Sequence, residues 1–306
     1  MPNLNVLVGL PASGKSYYAK TLLISQNAKV HSTDAIREEF FGDINNQQNN
    51  DKVFSTLYQR VKNDLISGYN VVVDSTNISM NKRLTLLNQF RNINCEKVCY
   101  LFATPYDRCL TQNQQRDRTI SPDVIKYMYT NFHIPQLYEG WDKIVIIWNY
   151  DKHDFNLNEL FNGANGLNFL SHDNPFHVHT IGKHCAKCFT LIQEMTDDQL
   201  LIEAAIYHDI GKQFTKSFSN TKGVKTEEAH YYNHQSVSAY LSMFYTRNNG
   251  YNSKQILDIC KYIQWHMQPF FMRNKVSEIE TFIKIVGKEF YDKLMILNKA
   301  DVIAHQ

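Results

Sequence analysis

The sequence predicts an α/β domain with a five-stranded parallel sheet over residues 1–150, a linker over 151–169 and an all-α domain over 170–306. Short β-branched runs alternate with longer helical stretches as far as Trp148, which is typical of βα units around a parallel sheet. Asn-, Asp- and Gly-rich sequence follows, as expected of a boundary. From Asn174 onward only helical periodicity recurs, broken by polar loops such as 217–226, so no further strand is expected.

The strands of the first domain are predicted from its apolar, β-branched runs. They are Leu4–Val8, Lys29–Ser32, Val71–Val73, Lys97–Ala103 and Lys143–Trp148. The second domain is predicted to open a helix at Asn174-Pro175, with Asn174 as the N-cap and Pro175 as the first helical residue.

Composition sets the class of protein and leaves the substrate open. The chain has 306 residues, of which 43% are hydrophobic and 20% charged, and this is ordinary for a globular protein. A net charge of +2 permits contacts with nucleic acid without requiring them. We find no apolar run as long as a membrane span and no signal sequence before the first strand, so we expect a cytoplasmic protein without a membrane partner.

The six cysteines are spread through the chain and are expected to be reduced thiols. Cys185 and Cys188 form a lone CxxC. A zinc site normally needs a second ligand pair at matching spacing, so helix packing is the better interpretation.

Residues 9–16 read GLPASGKS and fit the pattern G-x-x-x-x-G-K-S between a hydrophobic strand and a helix. Such a loop wraps its backbone N–H groups around phosphates, its lysine neutralises the β and γ oxygens, and its serine can bind Mg²⁺. The pattern predicts ATP and Mg²⁺ as cofactors. The predicted ligands are Gly9, Ser13, Gly14, Lys15 and Ser16, the last through Mg²⁺.

Asp34 and Arg37 follow the second strand at the edge of the sheet where α/β proteins bind ligands. A carboxylate there can accept a proton from an attacking hydroxyl, and an arginine one turn later can hold a phosphate. Asp34 as an acidic N-cap with a solvated arginine is the alternative. Val71–Asn77 likewise delivers polar groups at a strand end.

A polar segment before Pro122 carries Gln112, Arg116 and Arg118. Its arginines suit a lid that closes over the transferring phosphate, and a solvated helix face is the alternative.

Four segments, GLPASGKS, STDAIR, VVVDSTN and QNQQRDRTISPDVIKYM, resemble in order and spacing the kinase module of the phage-type 5′-hydroxyl polynucleotide kinases over residues 1–148. That family moves the γ-phosphate of ATP to a 5′-hydroxyl of RNA or DNA. The resemblance implies that Asp34 is the general base, that Arg37 contacts the acceptor's phosphate and that Arg116 is a lid arginine on ATP. The family often has a second lid arginine where this chain has Gln112, so either Arg118 replaces it or the grip on ATP is weaker.

The second half holds enough histidine and aspartate for a site with one or two metals. The candidate ligands are His184, His208, Asp209, His234, His266 and Asp301. A carboxylate shared by two metals suits hydrolysis of a phosphate ester. His177 lies two predicted turns from His184, so it can reach the same cavity or make a structural hydrogen bond. The remaining histidines, His172, His179, His230 and His305, are predicted not to be ligands.

Five segments, NPFHVHTIGKH, AAIYHDIGK, NHQSVSAYL, QWHMQP and NKADVIAH, resemble the HD superfamily of metal-dependent phosphohydrolases over residues 170–306. The resemblance implies that His184, His208, Asp209 and Asp301 are the defining ligands. His234 and His266 match the extra histidines of members with two metals, and Lys212 matches a lysine near the scissile phosphate. Mn²⁺, Fe²⁺, Ni²⁺, Co²⁺ and Zn²⁺ all tolerate such ligands.

The two resemblances together are those of bifunctional end-healing enzymes for RNA or DNA, which add a 5′-phosphate and remove a 3′-phosphate or a 2′,3′-cyclic phosphate. No nucleotidyl-transfer lysine motif is evident, so a separate ligase is the expected partner. Two alternatives stay open. One is a small-molecule kinase fused to a nucleotide phosphohydrolase, and the other is a nucleic-acid-binding adaptor with a degenerate HD scaffold.

Overall fold

A computed structural model describes all 306 residues, which pack into two compact units. The first unit comprises Met1–Met128 and Pro135–Tyr150, and the second comprises Tyr129–Ile134 and Asp151–Gln306. No helix is both long and apolar enough to cross a membrane.

The first unit is built on a five-stranded sheet in which every neighbouring pair is parallel, in the order β2-β3-β1-β4-β5. The predicted fold class is therefore confirmed. The strands are β1 (Asn3–Val8), β2 (Lys29–Ser32), β3 (Val71–Asp74), β4 (Glu96–Ala103) and β5 (Lys143–Trp148). Because parallel strands begin and end together, the carboxyl ends of β1, β2 and β3 bring their following residues to one edge.

Helices cover the sheet and bury its apolar side chains, as a parallel sheet requires. Ala19 and Leu22 of the first helix pack on Leu7, Val72 and other strand residues in one core cluster. The helices of this unit are α1 (Lys15–Gln26), α2 (Thr33–Phe41), α3 (Asn50–Ile66), α4 (Met80–Gln89), α5 (Tyr106–Gln114) and α6 (Pro122–Thr130), of which α6 runs into the second unit.

A buried ion pair braces the segment that follows β3. Arg83 donates to both carboxylate oxygens of Glu139 at 2.7 Å, and both side chains are fully buried. Arg83 Nη1 also donates to the carbonyls of Asn77 and Ile78. Since Asn77 Nδ2 donates to the carbonyl of Leu7 in β1, the pair helps to hold the strand ends that carry the first site.

The second unit is helical, as predicted. Its helices are α7 (Leu157–Asn162), α8 (Ile181–Gln193), α9 (Gln199–Tyr207), α10 (Lys212–Thr215), α11 (His234–Asn248), α12 (Ser253–Trp265), α13 (Gln268–Phe271), α14 (Val276–Val286) and α15 (Lys288–Ala304). The expectation of no strand beyond Asn174 is wrong in one place. An antiparallel hairpin of β6 (Ser217–Ser219) and β7 (Lys225–His230) occupies the predicted polar loop, because a turn at Gly223, with φ +78°, lets the two polar runs pair.

Two sequence-based boundaries also differ from the structure. The expected linker over 151–169 is packed structure: it contains α7, Phe155 stacks on Phe244 at 4.5 Å, and Leu167 is fully buried. The helix expected from Asn174 begins instead at Ile181, with Thr180 as its N-cap. Asn174 Oδ1 accepts from the backbone N–H of Phe176, so it forms a turn rather than a helix cap.

Candidate functional sites

The loop between β1 and α1 has the conformation of a phosphate cradle. Ala12 and Gly14 adopt left-handed backbone conformations, with φ of 59° and 97°, and α1 begins at Lys15 directly after them. A Cβ on Gly9 would lie 2.8 Å from Phe102 Cβ, so only glycine lets the loop pass so close to β4. The backbone N–H groups at the start of α1 thus face the position that the sequence assigns to phosphates.

Lys15 is buried against its own loop. Its ammonium donates to the carbonyls of Gly9 at 3.0 Å and Leu10 at 2.6 Å. Burial lowers the pKa of Lys15 to about 8, while the carboxylate of Asp74, at the end of β3, opposes this shift. A phosphate anion beside the ammonium would raise this pKa again.

Asp34 and Arg37 lie in the first and second turns of α2, where Ser32 rather than Asp34 is the N-cap. Arg37 Nη1 lies 3.1 Å from Asp34 Oδ1, and Arg37 Nη2 donates to Asn50 Oδ1 at 2.8 Å. The Arg37 side chain is only 8% exposed, and its Nε is buried without a hydrogen-bond partner. The alternative of a solvated arginine does not fit this burial.

The residues of the predicted lid line the same pocket as the phosphate loop. Gln112, Arg116 and Arg118 all belong to its wall. Arg118 Nη1 lies 2.7 Å from Asp34 Oδ2, and Arg118 Nε donates to Asn45 Oδ1 at 3.0 Å. Arg118 thus contacts the candidate base rather than the phosphate loop. Arg116 is close enough to Lys15 to help lower its pKa.

The pocket has a volume of about 2160 Å³, which exceeds the roughly 300–1,000 Å³ of an ordinary small-molecule site. Phe54, Tyr58 and Lys62 of α3 line it, together with Lys82 at the start of α4. This aromatic and basic wall of the pocket was not predicted from the sequence. The spacing of four residues between Phe54, Tyr58 and Lys62, which places them on one face of a helix, is the signal that could have found it.

The six histidine and aspartate residues expected to bind metal come together in the second unit. His184 and His208 each present Nε2 to Asp301 Oδ1, at 3.0 and 3.3 Å, and to Asp209 Oδ2, at 3.3 and 3.4 Å. On the other side, Asp209 Oδ1 lies 3.1 Å from His234 Nε2 and 3.7 Å from His266 Nε2. Asp209 therefore faces the His184–His208 pair with Oδ2 and the His234–His266 pair with Oδ1, as a carboxylate that bridges two metal sites does.

Hydrogen bonds to the backbone fix the orientation of these imidazoles. Nδ1 of His208, His234 and His266 each bonds to the carbonyl three residues earlier, of Ala205, Tyr231 and Ile263, at 2.7 to 2.8 Å. His184 Nδ1 bonds to the carbonyl of Ala304 at 3.3 Å. A carbonyl only accepts, so each Nδ1 carries the ring hydrogen and each Nε2 offers a lone pair to the centre.

The converging lone pairs fit a divalent metal. Nε2 atoms lie 3.1 Å apart in the His184–His208 pair and 3.2 Å apart in the His234–His266 pair, so two imidazoles converge on each side of Asp209. Burial lowers the pKa of His184, but Asp209 and Asp301 outweigh it and raise the pKa to about 9. Burial, with help from His234, lowers the pKa of His266 to about 3 and keeps its lone pair available. Only a cation satisfies such a set.

Further histidines surround this cluster, and the sequence analysis set two of them aside. Ring nitrogens of His177, His184 and His305 lie within 4.8 Å of one another, and so do ligand atoms of His172, His177 and Asp209. His172 and His305, which were predicted not to be ligands, are therefore neighbours of the cluster. His177 reaches the cluster from a loop rather than from the helix face on which it was predicted.

Lys212, the first residue of α10, contacts the cluster directly. Its ammonium lies 2.6 Å from Asp209 Oδ2 and 3.2 Å from His177 Nε2. Cys185 and Cys188 are buried in α8, where burial raises the pKa of both thiols.

Comparisons with known proteins match the two halves separately. Residues 4–134 match the AAA domain family AAA_33, and residues 181–305 match the HD domain family. The first match, with its phosphate loop, is that of a P-loop kinase module and implies ATP with Mg²⁺. The second implies a divalent metal.

Curated relatives share part of the chain. An L-seryl-tRNA(Sec) kinase of Methanococcus maripaludis is 29% identical over 51% of this chain and 64% of its own length. A candidate bifunctional polynucleotide phosphatase/kinase of Acanthamoeba polyphaga mimivirus is 30% identical over 48% of this chain. The match covers 34% of that viral protein, so this chain spans less than two thirds of either relative.

Among solved structures, a chain of the Pnkp1/Rnl/Hen1 RNA repair complex is similar to part of this protein. It is 21% identical, with 42% of this chain and 43% of that chain covered and a TM-score of 0.39.

Proposed function

We propose that this chain, which joins a P-loop kinase module to an HD domain, is a bifunctional enzyme that heals nucleic-acid ends. The kinase unit would phosphorylate a 5′-hydroxyl of RNA or DNA with ATP. The HD unit would remove a 3′-phosphate or a 2′,3′-cyclic phosphate.

The buried Arg37 beside Asp34 carries this proposal. Arg37 lines the large pocket, and its Nε is buried without a hydrogen-bond partner. A buried guanidinium with an unpaired N–H favours an anionic ligand. An acceptor that presents a hydroxyl to Asp34 and a phosphate to Arg37 is a polynucleotide end. A free nucleoside offers the hydroxyl alone.

The kinase step follows from these positions. The 5′-oxygen attacks the γ-phosphorus, the bond to the β–γ bridging oxygen breaks, ADP leaves, and the hydroxyl proton passes to Asp34. Lys15 and Arg116 neutralise the charge on the phosphates, and Ser16 would hold Mg²⁺. Arg118 must leave Asp34 Oδ2 before that carboxylate can accept the proton.

In the HD unit, the six clustered residues would hold one or two divalent metals, among which Mn²⁺, Fe²⁺, Ni²⁺, Co²⁺ and Zn²⁺ suit imidazole and carboxylate ligands. The metals would supply a Lewis acid and an activated water for attack on phosphorus. Backbone hydrogen bonds hold each imidazole with Nε2 inward, and Asp209 would bridge the two groups. Lys212 lies where its ammonium can meet a phosphate oxygen.

A 5′-phosphate and a 3′-hydroxyl are the ends that a classical ligase joins, so we propose a separate polynucleotide ligase as the partner that acts next. The similarity to an L-seryl-tRNA(Sec) kinase supports a second candidate, in which the kinase acts on another hydroxyl, such as that of a small molecule or of a group attached to RNA. An adaptor with a degenerate HD scaffold is disfavoured, because all six ligand positions are filled.

The test is the intact mass of a short RNA with a 5′-hydroxyl and a 2′,3′-cyclic phosphate after incubation with enzyme, ATP, Mg²⁺ and Mn²⁺. We expect a gained 5′-phosphate and a 3′ end converted to a hydroxyl. Lys15→Ala should abolish only the first change and Asp209→Ala only the second. An unchanged RNA with folded, metal-loaded enzyme would contradict the proposal, and phosphorylation of nucleosides in preference to a 5′-hydroxyl oligonucleotide would favour the second candidate.

A further inference from the structure

One side of α3 extends the wall of the pocket outward from Arg37. Arg37 Nη2 donates to Oδ1 of Asn50, the first residue of α3, at 2.8 Å. Asn50, Phe54, Tyr58 and Lys62 recur every four residues, and all of them line the pocket. At 1.5 Å per residue, α3 is about 18 Å long from Asn50 to Lys62. We call the surface formed by Phe54, Tyr58 and Lys62 the α3 face.

The α3 face offers two aromatic rings to the pocket. Phe54 and Tyr58 are half-buried, with ring centroids 6.1 Å apart. Phe90 is fully buried and meets Tyr58 edge to face at 6.2 Å, which restricts the Tyr58 ring. Such partly open rings are surfaces on which unpaired bases stack, whereas the bases of a duplex already stack on one another.

The basic side chains near these rings have no carboxylate partner. Lys62 and Lys82 line the pocket, are exposed and form no ion pair. The carboxylates that line the pocket belong to Asp34, Asp51 and Asp74, at the start of α2, the start of α3 and the end of β3. The part of the pocket beside Lys62 and Lys82 is therefore positive, which favours a chain of phosphates.

A second cavity, of about 510 Å³, continues the groove past the α3 face. Lys62 and Gln89 line both the pocket and this cavity. Leu65 and Ile66 of α3 line the cavity as well, together with the exposed Arg91, and no carboxylate does so. The groove is thus longer than a single nucleotide requires.

The geometry of phosphoryl transfer decides which substrate faces α3. The attacking and leaving oxygens lie roughly in line on opposite sides of the γ-phosphorus. Asp34 follows β2, and α3 packs on β2 and β3, on one side of the central strand β1. Phe102 of β4 and Trp148 of β5 line the pocket on the other side. With Asp34 as the proton acceptor, ADP leaves toward β4 and β5, and the acceptor occupies the side of α3.

We propose that the α3 face, together with Lys82, binds the nucleotides that follow the 5′ end of a single-stranded acceptor. Bases stack on Phe54 and Tyr58, and the ammonium groups of Lys62 and Lys82 contact the phosphates. At the 3.4 Å rise of stacked nucleotides, a strand covers the length of α3 from Asn50 to Lys62 in about five nucleotides. This inference rests on the proposed kinase function and names the acceptor as a single strand rather than a nucleoside or a blunt duplex.

The dependence of the kinase on acceptor length tests the stacking. The full chain is assayed with saturating ATP and 5′-hydroxyl oligonucleotides of two, eight and sixteen nucleotides. We expect kcat/KM to rise at least about ten-fold from the dinucleotide to the octamer and then to stay level. Tyr58→Leu should reduce this rise at least about five-fold, because leucine is apolar but cannot stack. Tyr69→Leu, at an exposed tyrosine outside the pocket and the cavity, is the matched control and should keep the rise.

The salt dependence of binding tests the phosphate contacts without any activity assay. Fluorescence anisotropy of a 5′-hydroxyl octamer labelled at its 3′ end gives the slope of log Kd against log salt. Each phosphate contact with a single strand contributes about 0.7 to this slope. We expect Lys62→Met and Lys82→Met each to lower the slope by about 0.7. Lys20→Met, at an exposed lysine of α1 outside the groove, is the matched control and should leave it unchanged.

Equal kcat/KM for the dinucleotide and the octamer, or an unchanged salt slope in both lysine variants, would overturn the α3 face and leave the proposed kinase in place. Failure to phosphorylate any 5′-hydroxyl oligonucleotide would instead contradict the proposed function. A higher KM for ATP in Tyr58→Leu, with the length dependence kept, would assign Tyr58 to the adenine of ATP and would also overturn the inference. If Tyr58→Leu fails to fold, the salt slopes of the two exposed lysine variants decide.

Discussion

Arg118 Nη1 lies 2.7 Å from Asp34 Oδ2, while Arg37 Nη1 lies 3.1 Å from Oδ1 of the same carboxylate. Both oxygens of the proposed general base are thus engaged by arginines. In the proposed kinase step Arg37 would keep its contact with Oδ1, whereas Arg118 would have to release Oδ2 so that the carboxylate can accept the proton. Arg118 therefore links the polar segment before Pro122 to the acceptor side of the pocket.

We predict that Arg118→Ala lowers the KM for a 5′-hydroxyl oligonucleotide by about two- to five-fold. The ion pair is partly exposed, and such pairs are worth at most about 1 kcal/mol. Steady-state kinetics with varied acceptor and varied ATP measure the effect, and Arg108→Ala, an exposed arginine outside the pocket, is the control. A higher KM for ATP with an unchanged KM for the acceptor would instead assign Arg118 to the ATP phosphates, as the sequence analysis proposed.

We predict that the Lys15 amine takes up a proton when ATP binds at alkaline pH. Its pKa in the folded protein is about 8, below the 10.5 of an exposed lysine, because burial disfavours the charged form. Phosphates favour the charged form, so binding at pH 8.5 should take up about 0.7 proton. Uptake should vanish below pH 7, where Lys15 is already charged.

Calorimetric titrations of ATP in two buffers of different ionisation enthalpy measure this uptake. Lys15→Met should bind ATP more weakly and without the uptake, whereas Lys62→Met, which removes another lysine of the pocket, should retain it. Equal apparent enthalpies in both buffers for the wild type at pH 8.5 would rule out the low pKa. The low pKa also affects stability. Because the folded state binds this proton less tightly than the unfolded chain, the free energy of unfolding rises as pH increases from about 8 to 10.5.

We predict that Arg83→Met lowers the free energy of unfolding of the first unit by about 3–5 kcal/mol, because it leaves the fully buried Glu139 carboxylate without its partner. Arg60→Met is the matched control. Arg60 also bonds both oxygens of a glutamate, Glu39, but on the surface, where the loss should stay below about 1 kcal/mol. Urea unfolding followed by tryptophan fluorescence measures both, and similar losses in the two variants would contradict the structural role of the buried pair.

Two glycines allow the two activities to be disabled separately. In Gly9→Ala the new Cβ would lie 2.7 Å from Ser13 Oγ and 2.8 Å from Phe102 Cβ, so the phosphate loop must shift. In Gly211→Ala it would lie 2.4 Å from the carbonyl oxygen of His234 and 2.6 Å from the backbone nitrogen of Ser238, so α11 and its histidine must move.

We expect Gly9→Ala to raise the KM for ATP at least ten-fold and to spare hydrolysis. Gly211→Ala should reduce bound metal and hydrolysis, spare the kinase, and destabilise the second unit by about 1–3 kcal/mol, as other overpacked sites do. Each variant serves as the control for the other. Loss of both activities in either variant would show that the effect is not local.

Much of the first site could be predicted because its residues are contiguous or lie at the ends of neighbouring strands. The phosphate loop needs only the run from Gly9 to Ser16, and the five parallel strands follow from the alternation of β and α patterns. The wall of Phe54, Tyr58 and Lys62 also follows from local spacing, yet nothing in that spacing says that this helix face borders a pocket rather than a core.

The second site could be predicted from the sequence only in part. The pattern of residues gave a list of histidines and aspartates that lie on α8, α11 and α15 or directly after α9 and α12, but only the packing of these helices decides which atoms converge. His172 and His305 were predicted from the sequence not to be ligands. They reach the cluster because a loop before α8 folds back and because α15 ends beside it.

The sequence by itself determined the fold class, the order of the two units and the phosphate loop, because strand and helix periodicity and short motifs depend on neighbours in the chain. Only the tertiary structure decided that residues 151–169 are packed rather than a linker, that residues 217–230 form a hairpin, that Arg118 meets Asp34, and that His172, with a buried and unpaired Nε2, lies beside the cluster of histidines and aspartates. Those outcomes depend on contacts between residues far apart in the chain, whose energies no local pattern encodes.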